Sequence, residues 1–172
     1  MSRDLFRIVL LEQLDAVCGR IAFSSGSAPL DRYFHQQVTQ DIRRRVTACF
    51  VALSKEEQIA GYYTLASASI LLNDLPATIR TKLPRYPSVP AIRMGRLAID
   101  SNFQGQGLGG ALLADALHRA VHSEIAAFAM VVDAKDNSAL AFYRHHGFIS
   151  FPDSPRTLFL PLKTVTAAQR TT

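Results

Sequence analysis

Residues Gln104 to Gly110 read QGQGLGG, and two phosphate-binding patterns can be taken from them. Counted from Gly105, the stretch is G-x-G-x-x-G, the dinucleotide fingerprint. Counted from Gln104, it is Q-x-x-G-x-G, a wider loop that ends on a helix N-terminus. In the dinucleotide pattern the strand runs directly into the first glycine, whereas here Asp100-Ser101-Asn102-Phe103-Gln104 intervene after Ile99. Asp133, at the end of the next apolar run, stands where a ribose-binding acid would be expected, but too little chain follows Gly110 for the remaining βαβ units. A P-loop is a weaker reading still, because no Gly-Lys-Ser or Gly-Lys-Thr follows. Glycines 105, 107, 109 and 110 leave room for successive N–H groups to converge, and a helix dipole adds partial positive charge. By itself the stretch supports an anion cradle, and equally a glycine-rich turn that caps a helix.

Working outward from the loop, AIRMGRLAI (91–99) reads as a strand before it. Leu108, Leu112, Leu113, Leu117 and Val121 recur at helical spacing after it. Ile125 to Val132 reads as a near-continuous apolar strand, and a further helix is expected from Asn137, a good cap residue, to Gly147. On the N-terminal side, FRIVLL (6–11) reads as a strand and SSGSAP (24–29) as a loop. A helix is expected over Leu30–Arg45, then a hairpin of Val46–Leu53 and Ile59–Leu72. LPATIRTKLPRYPSVP (75–90) predicts a short helix and a proline-rich surface connector. PRTLFLPL predicts a last strand, and a polar tail that frays is expected from Lys163. The order, βαββ, connector, βαβαβ, is that of a mixed α+β domain. One domain over residues 1–163 with a polar tail at 164–172 is expected.

The chain has 172 residues, 48% hydrophobic and 19% charged, enough for one globular core. No apolar run approaches the roughly 20 residues of a membrane span, and the start does not read as a signal peptide, so a cytoplasmic location is expected. Cys18 and Cys49 show no zinc spacing and are expected to be reduced and buried. His118 and His122, four apart with Asp115 nearby, could be drawn as a metal site, but no further ligand is evident and no metal is expected. His145 and His146 suit the negative end of a helix dipole. The net charge is +5, carried mainly by arginine, which suits bidentate contacts to phosphate. One basic cluster is Arg43, Arg44 and Arg45. A second is Arg80, Lys82, Arg85, Arg93 and Arg96, in a stretch from Leu75 to Ile99 that holds no acidic residue. Both read as solvated basic surface unless a polyanionic substrate is indicated.

The combination MGRLAIDSNFQGQGLGGALL, a strand, and then AKDNSALAFYRHHGF resembles the GNAT superfamily of acyl-CoA N-acetyltransferases. That resemblance covers nearly the whole chain. It implies a central, mostly antiparallel mixed sheet flanked by helices and splayed at the acetyl-CoA strand, with acetyl-CoA as co-substrate. It further implies that the backbone of Leu97, Ala98 and Ile99 pairs with the pantetheine arm and that Gln104, Gly105, Gln106, Gly107, Leu108, Gly109 and Gly110 hold the pyrophosphate. Tyr143 would be the general acid for the departing thiolate, and Asn137, read as a helix cap, would lie near the CoA arm. LDRYFHQQVTQDIRRRVTACFVAL, IAGYYTLASASI and PDSPRTLFLPL narrow the likeness to bacterial GNAT-type toxins paired with ribbon-helix-helix antitoxins. Those toxins acetylate aminoacyl-tRNA. This implies aminoacyl-tRNA as substrate, an antitoxin partner, often a homodimer, and tRNA contacts at the two basic clusters.

Amide formation from a thioester needs a neutral amine, a polarised carbonyl and a proton for the leaving thiolate. The run Ala91–Ile99 holds no carboxylate base. An α-amino group, with a pKa of roughly 7.7–8.0, is partly neutral without one, whereas a lysine near 10.4 is not. A small amine or a protein N-terminus as acceptor, and a non-catalytic CoA- or antitoxin-binding module, remain open on the residues alone.

Overall fold

The computed structural model describes residues 6–14 and 19–170; Cys18 lies outside the described residues. The elements are β1 (Arg7–Leu10), α1 (Ala28–Gln36), α2 (Val38–Arg43), β2 (Ala48–Leu53), β3 (Ile59–Leu71), α3 (Ala77–Arg80) and β4 (Ser88–Ile99). After these come α4 (Leu108–Val121), β5 (Ala129–Asp133), α5 (Asn137–His145), β6 (Ile149–Phe151), β7 (Ser154–Pro161) and α6 (Leu162–Arg170). The strands form a seven-stranded mixed sheet in the order β1-β2-β3-β4-β5-β7-β6, flanked by helices. β1/β2, β2/β3, β5/β7 and β6/β7 are antiparallel, and β4/β5 is parallel, as its α4 crossover requires.

The chain divides into two compact units, Met1–Ala66 with Gly95–Ala116, and Ser67–Met94 with Leu117–Thr172. β3, β4 and α4 each run through both. The core of the first unit gathers Phe23, Tyr33, Phe34, Val38, Val51, Leu53 and Tyr62 around Ala98. Phe34 stacks on Tyr62 with ring centroids 4.4 Å apart. The core of the second gathers Ile70, Leu75, Val89, Val131, Phe151 and Phe159, with Ile79 and Leu83 packed on its edge. Within β4, Val89 and Ala91 belong to the core of the second unit and Ala98 to that of the first.

Several sequence expectations need correction. The single helix over Leu30–Arg45 is two helices that meet at Gln37 (φ −122°, ψ −31°). The apolar period persists because Phe34 and Val38 still face the same core, while a hydrogen bond from Tyr33 Oη to Asp41 (2.8 Å) spans the break. Arg45, in left-handed backbone (φ 59°), ends α2. β5 begins at Ala129, four residues after its expected start, where Ala91 of β4 becomes its partner. Ile125 is exposed. β4 starts earlier than expected, at Ser88, and carries Pro90 at an exposed position whose carbonyl accepts from Phe128 N. The segment expected to fray forms α6, anchored by buried Leu162, whose N–H bonds Phe128 O at 2.9 Å. The three-residue β6, a hairpin partner of β7, is too short to register as a sequence period.

Candidate functional site

The five residues that separate Ile99 from the glycines form a clasp. Asp100, buried, accepts from Asn102 N (2.9 Å) as the cap of a 3-10 turn over Ser101–Phe103, and from Ser24 N (3.0 Å). Ser101 N and Oγ both donate to Ser24 O, at 2.8 and 3.0 Å. Gln104 Nε2 donates to Ser25 O (2.9 Å) and to Ile99 O (3.0 Å). Its side chain thus fastens the loop to the SSGSAP segment and to the end of β4, a part no spacing rule announces. Gly105 (φ 77°) and Gly107 (φ 78°) then turn the chain through left-handed backbone. Gly107 O accepts from Ala111 N (3.2 Å), so Gly107 caps α4. The N–H groups that follow at Leu108, Gly109 and Gly110 belong to the first helical turn, which has no intrahelical acceptor for them. Gln104 to Gly107 are exposed and Gly109 and Gly110 partly so. An exposed helix N-terminus approached through glycine backbone fits a pyrophosphate.

β4 reaches this loop through Leu97, Ala98 and Ile99. The parallel register with β5 runs from Ala91↔Ala129 to Met94↔Val132, while β4 itself continues to Ile99. Behind Ala98 and Ile99 lies Gly61 of β3. A Cβ there would stand 2.9 Å from Leu112 Cδ1 and 3.0 Å from both Ala98 O and Ile99 Cδ1. The position of the last residues of β4 therefore depends on a missing side chain in its neighbour.

In the other unit, α5 is capped by Asp136, whose carboxylate accepts from Ala139 N at 2.8 Å. Asn137, the residue expected to cap, is instead the first helical residue, and its Oδ1 accepts from Arg156 (2.8 Å). Both residue types cap well, and the cap is the one whose oxygen reaches the third helical N–H. Tyr143, on α5, is 7% exposed and packs between Phe142 and Phe148, 5.3 and 5.5 Å away. Burial, and secondarily the negative charge of Asp133, push its phenol up to about 12. Packing in the core and retention of the phenol proton therefore have one cause, because burial is what keeps the proton on the oxygen. His146, against Phe142 at 4.7 Å, is held below its ordinary pKa by burial and by its neighbour His145.

The basic candidates fall into different settings. Arg43, Arg44 and Arg45 are exposed at the end of α2. Arg80, Lys82 and Arg85 lie on the connector between β3 and β4. Arg93 is ion-paired with Asp133, which also accepts from Thr157 Oγ1 at 2.8 Å. It lines a cavity of about 330 Å³ together with Asp74 and Asp153. Arg96 lies 3.4 Å over the centre of the Tyr33 ring, the ring that Asp41 holds by its hydroxyl. Its N–H edge takes part in no ion pair among the described residues. The ring face orients the guanidinium and leaves its donors outward. No sequence pattern distinguishes these two arginines, three residues apart, in this way. Cys49 is buried, and burial pushes its thiol up to about 12, which makes it unreactive. The rings of His118 and His122 lie 4.1 Å apart and tilted by 35°, with His122 Nδ1 at 2.8 Å from His118 O, and Asp115 accepts from Tyr63 Oη.

The model of the acetyltransferase (GNAT) family matches residues 11–148. The chain belongs to that family. Among curated proteins, a tRNA-acetylating toxin of Mycobacterium tuberculosis (strain ATCC 25618 / H37Rv) is 36% identical over 148 residues, 85% of this chain and 87% of the relative. Among solved structures, AtaT complexed with acetyl-methionyl-tRNAfMet has a TM-score of 0.87 at 27% identity, covering 95% of this chain and 98% of that one. AtaTR bound with AcCoA has a TM-score of 0.80 at 26% identity over 96% and 98% of the two chains. Among the described residues of this GNAT chain, no helix is long and apolar enough to cross a membrane.

Proposed function

We propose that the chain is an acetyl-CoA-dependent toxin that acetylates the α-amino group of aminoacyl-tRNA in the cytoplasm and so blocks translation. The strongest support is its 36% identity over 85% of its length to a tRNA-acetylating toxin. The chemistry of its own residues agrees with this. The glycine backbone at Gly105 and Gly107 and the first turn of α4 suit the pyrophosphate of CoA, and the backbone of Leu97 to Ile99 would hold the pantetheine arm. Acetyl-CoA, when bound, supplies an acetyl group as a thioester. Tyr143 holds a proton on its phenol oxygen at physiological pH and would deliver it to the leaving thiolate. β4 holds no carboxylate base, which fits an acceptor that is substantially neutral near pH 8, an α-amino group rather than a lysine. As for other toxins of this kind, the expected partner is a ribbon-helix-helix antitoxin encoded beside it.

The test is to incubate the protein with radiolabelled acetyl-CoA and aminoacylated bulk tRNA. Label on the α-amino group of the esterified amino acid is expected. Label that appears only on small amines or on proteins would replace the proposed acceptor, and CoA binding without any transfer would leave a binding module.

A further inference from the structure

The connector between β3 and β4 carries a feature that catalysis at Tyr143 does not use. Arg80, Arg85 and Tyr86 line a cleft of about 590 Å³ together with Leu72, Leu83 and Pro87. That volume lies within the roughly 300–1,000 Å³ usual for small-molecule sites. Tyr86 is 63% exposed, yet its backbone is closely held. Pro84 and Pro87 bracket Arg85 and Tyr86, Tyr86 N donates to Pro84 O at 2.9 Å, and Pro87 O accepts from Leu72 N at 3.0 Å. Leu83 N is bonded to Arg80 O at 3.2 Å, and Leu83 packs against the core of its unit. A large aromatic side chain in water, on a loop whose φ angles two prolines restrict, loses little conformational freedom when its face is covered. Neither arginine takes part in an ion pair among the described residues, and the sequence from Leu75 to Ile99 holds no acid to neutralise them.

A flat ring beside two unpaired guanidinium groups matches one ligand chemistry closely. Bases stack on aromatic faces whatever their identity, and arginines meet the phosphates on either side. An acidic peptide would use the arginines and leave the ring without a planar partner. We propose that this cleft is a nucleotide subsite, in which the base of one unpaired RNA nucleotide stacks on Tyr86 while Arg80 and Arg85 hold its flanking phosphates. The inference rests on the tRNA reading given above and adds to it a contact outside the residues assigned to acetyl transfer.

The test uses the full-length protein and a fluorescent single-stranded oligoadenylate, its abasic counterpart and an oligoglutamate peptide of equal charge. Tyr86→Ala is expected to weaken oligoadenylate binding about tenfold and to raise the KM for charged tRNA similarly with kcat unchanged. Tyr86→Phe should keep both, because the ring face is retained. The abasic strand should bind the wild type about as weakly as oligoadenylate binds Tyr86→Ala. Equal binding of abasic and base-bearing strands, or no effect of Tyr86→Ala, would overturn the subsite. So would oligoglutamate binding with the same dependence on Tyr86. A wild type that acetylates no charged tRNA sinks the functional reading, whereas one that does so with an unchanged KM in Tyr86→Ala sinks the subsite alone.

Discussion

At the scale of single residues, Tyr143 shows core packing and proton retention arising from one cause. Tyr143 is enclosed by Phe142 and Phe148, and the same enclosure, with Asp133 adding to it, pushes its phenol up to about 12. Both influences disfavour the phenolate, so the proton stays in place well above the ordinary tyrosine value near 10. Removing only the hydroxyl should then cost the general-acid contribution, about 10²-fold or more in kcat. Tyr143→Phe is expected to bind acetyl-CoA normally, to melt near the wild-type temperature and to lose toxicity in growth assays. A wild-type kcat profile that falls through pH 10 would show that a different group donates the proton, since Tyr143 is still protonated there.

At the scale of elements, the loop between β4 and α4 depends on parts that lie outside its own motif. Asp100 ties two backbone N–H groups, Ser24 and Asn102, and sits buried where water does not replace it. Asp100→Ala leaves both donors without that acceptor and should cost about 1–3 kcal/mol. It should also raise the KM for acetyl-CoA more than it changes kcat, because it loosens the loop and leaves Tyr143 in place. Gly61→Ala acts from the other side. Its Cβ would stand 2.9 Å from Leu112 Cδ1 and 3.0 Å from Ala98 O and Ile99 Cδ1, tight enough to press on β4 at the residues assigned to pantetheine, at an expected cost of about 1–3 kcal/mol. Calorimetric melting and acetyl-CoA titration of both variants separate lost stability from lost affinity; unchanged affinity in both would detach β4 and its loop from CoA binding.

These supports also explain how much could be read in advance. α4 is legible to the residue because its apolar positions and its entry glycines agree. The place of Tyr143 on α5 is legible because its motif is local. The clasp of Asp100 and Gln104 on Ser24 and Ser25 joins residues more than 70 positions apart, and no periodicity encodes such a pairing. The break at Gln37 was hidden because a core-facing period survives a kink. The cap of α5 was displaced by one residue because Asp136 and Asn137 are equally good caps on type alone.

At the scale of the whole molecule, the net charge of +5 draws any polyanion, but the structure divides the cations that contribute to this. Arg93 is held by Asp133 beside Asp74 and Asp153, so its charge is largely offset. Arg96 lies on Tyr33 with its donors unengaged by any acid among the described residues. A phosphate contact contributes to the salt dependence of binding through the counterions it displaces. Arg96→Gln should therefore lower the slope of log affinity for charged tRNA against log salt by about one, whereas Arg93→Gln should leave the slope nearly as it was. Tyr33→Leu provides the control that separates charge from posture. It keeps the cation and removes the ring, so affinity should fall at every salt concentration with the slope retained. Binding titrations between about 50 and 200 mM salt span a large change in affinity, enough to tell these outcomes apart. Equal slopes for the two arginine variants would mean that the tyrosine face does not select Arg96 for phosphate.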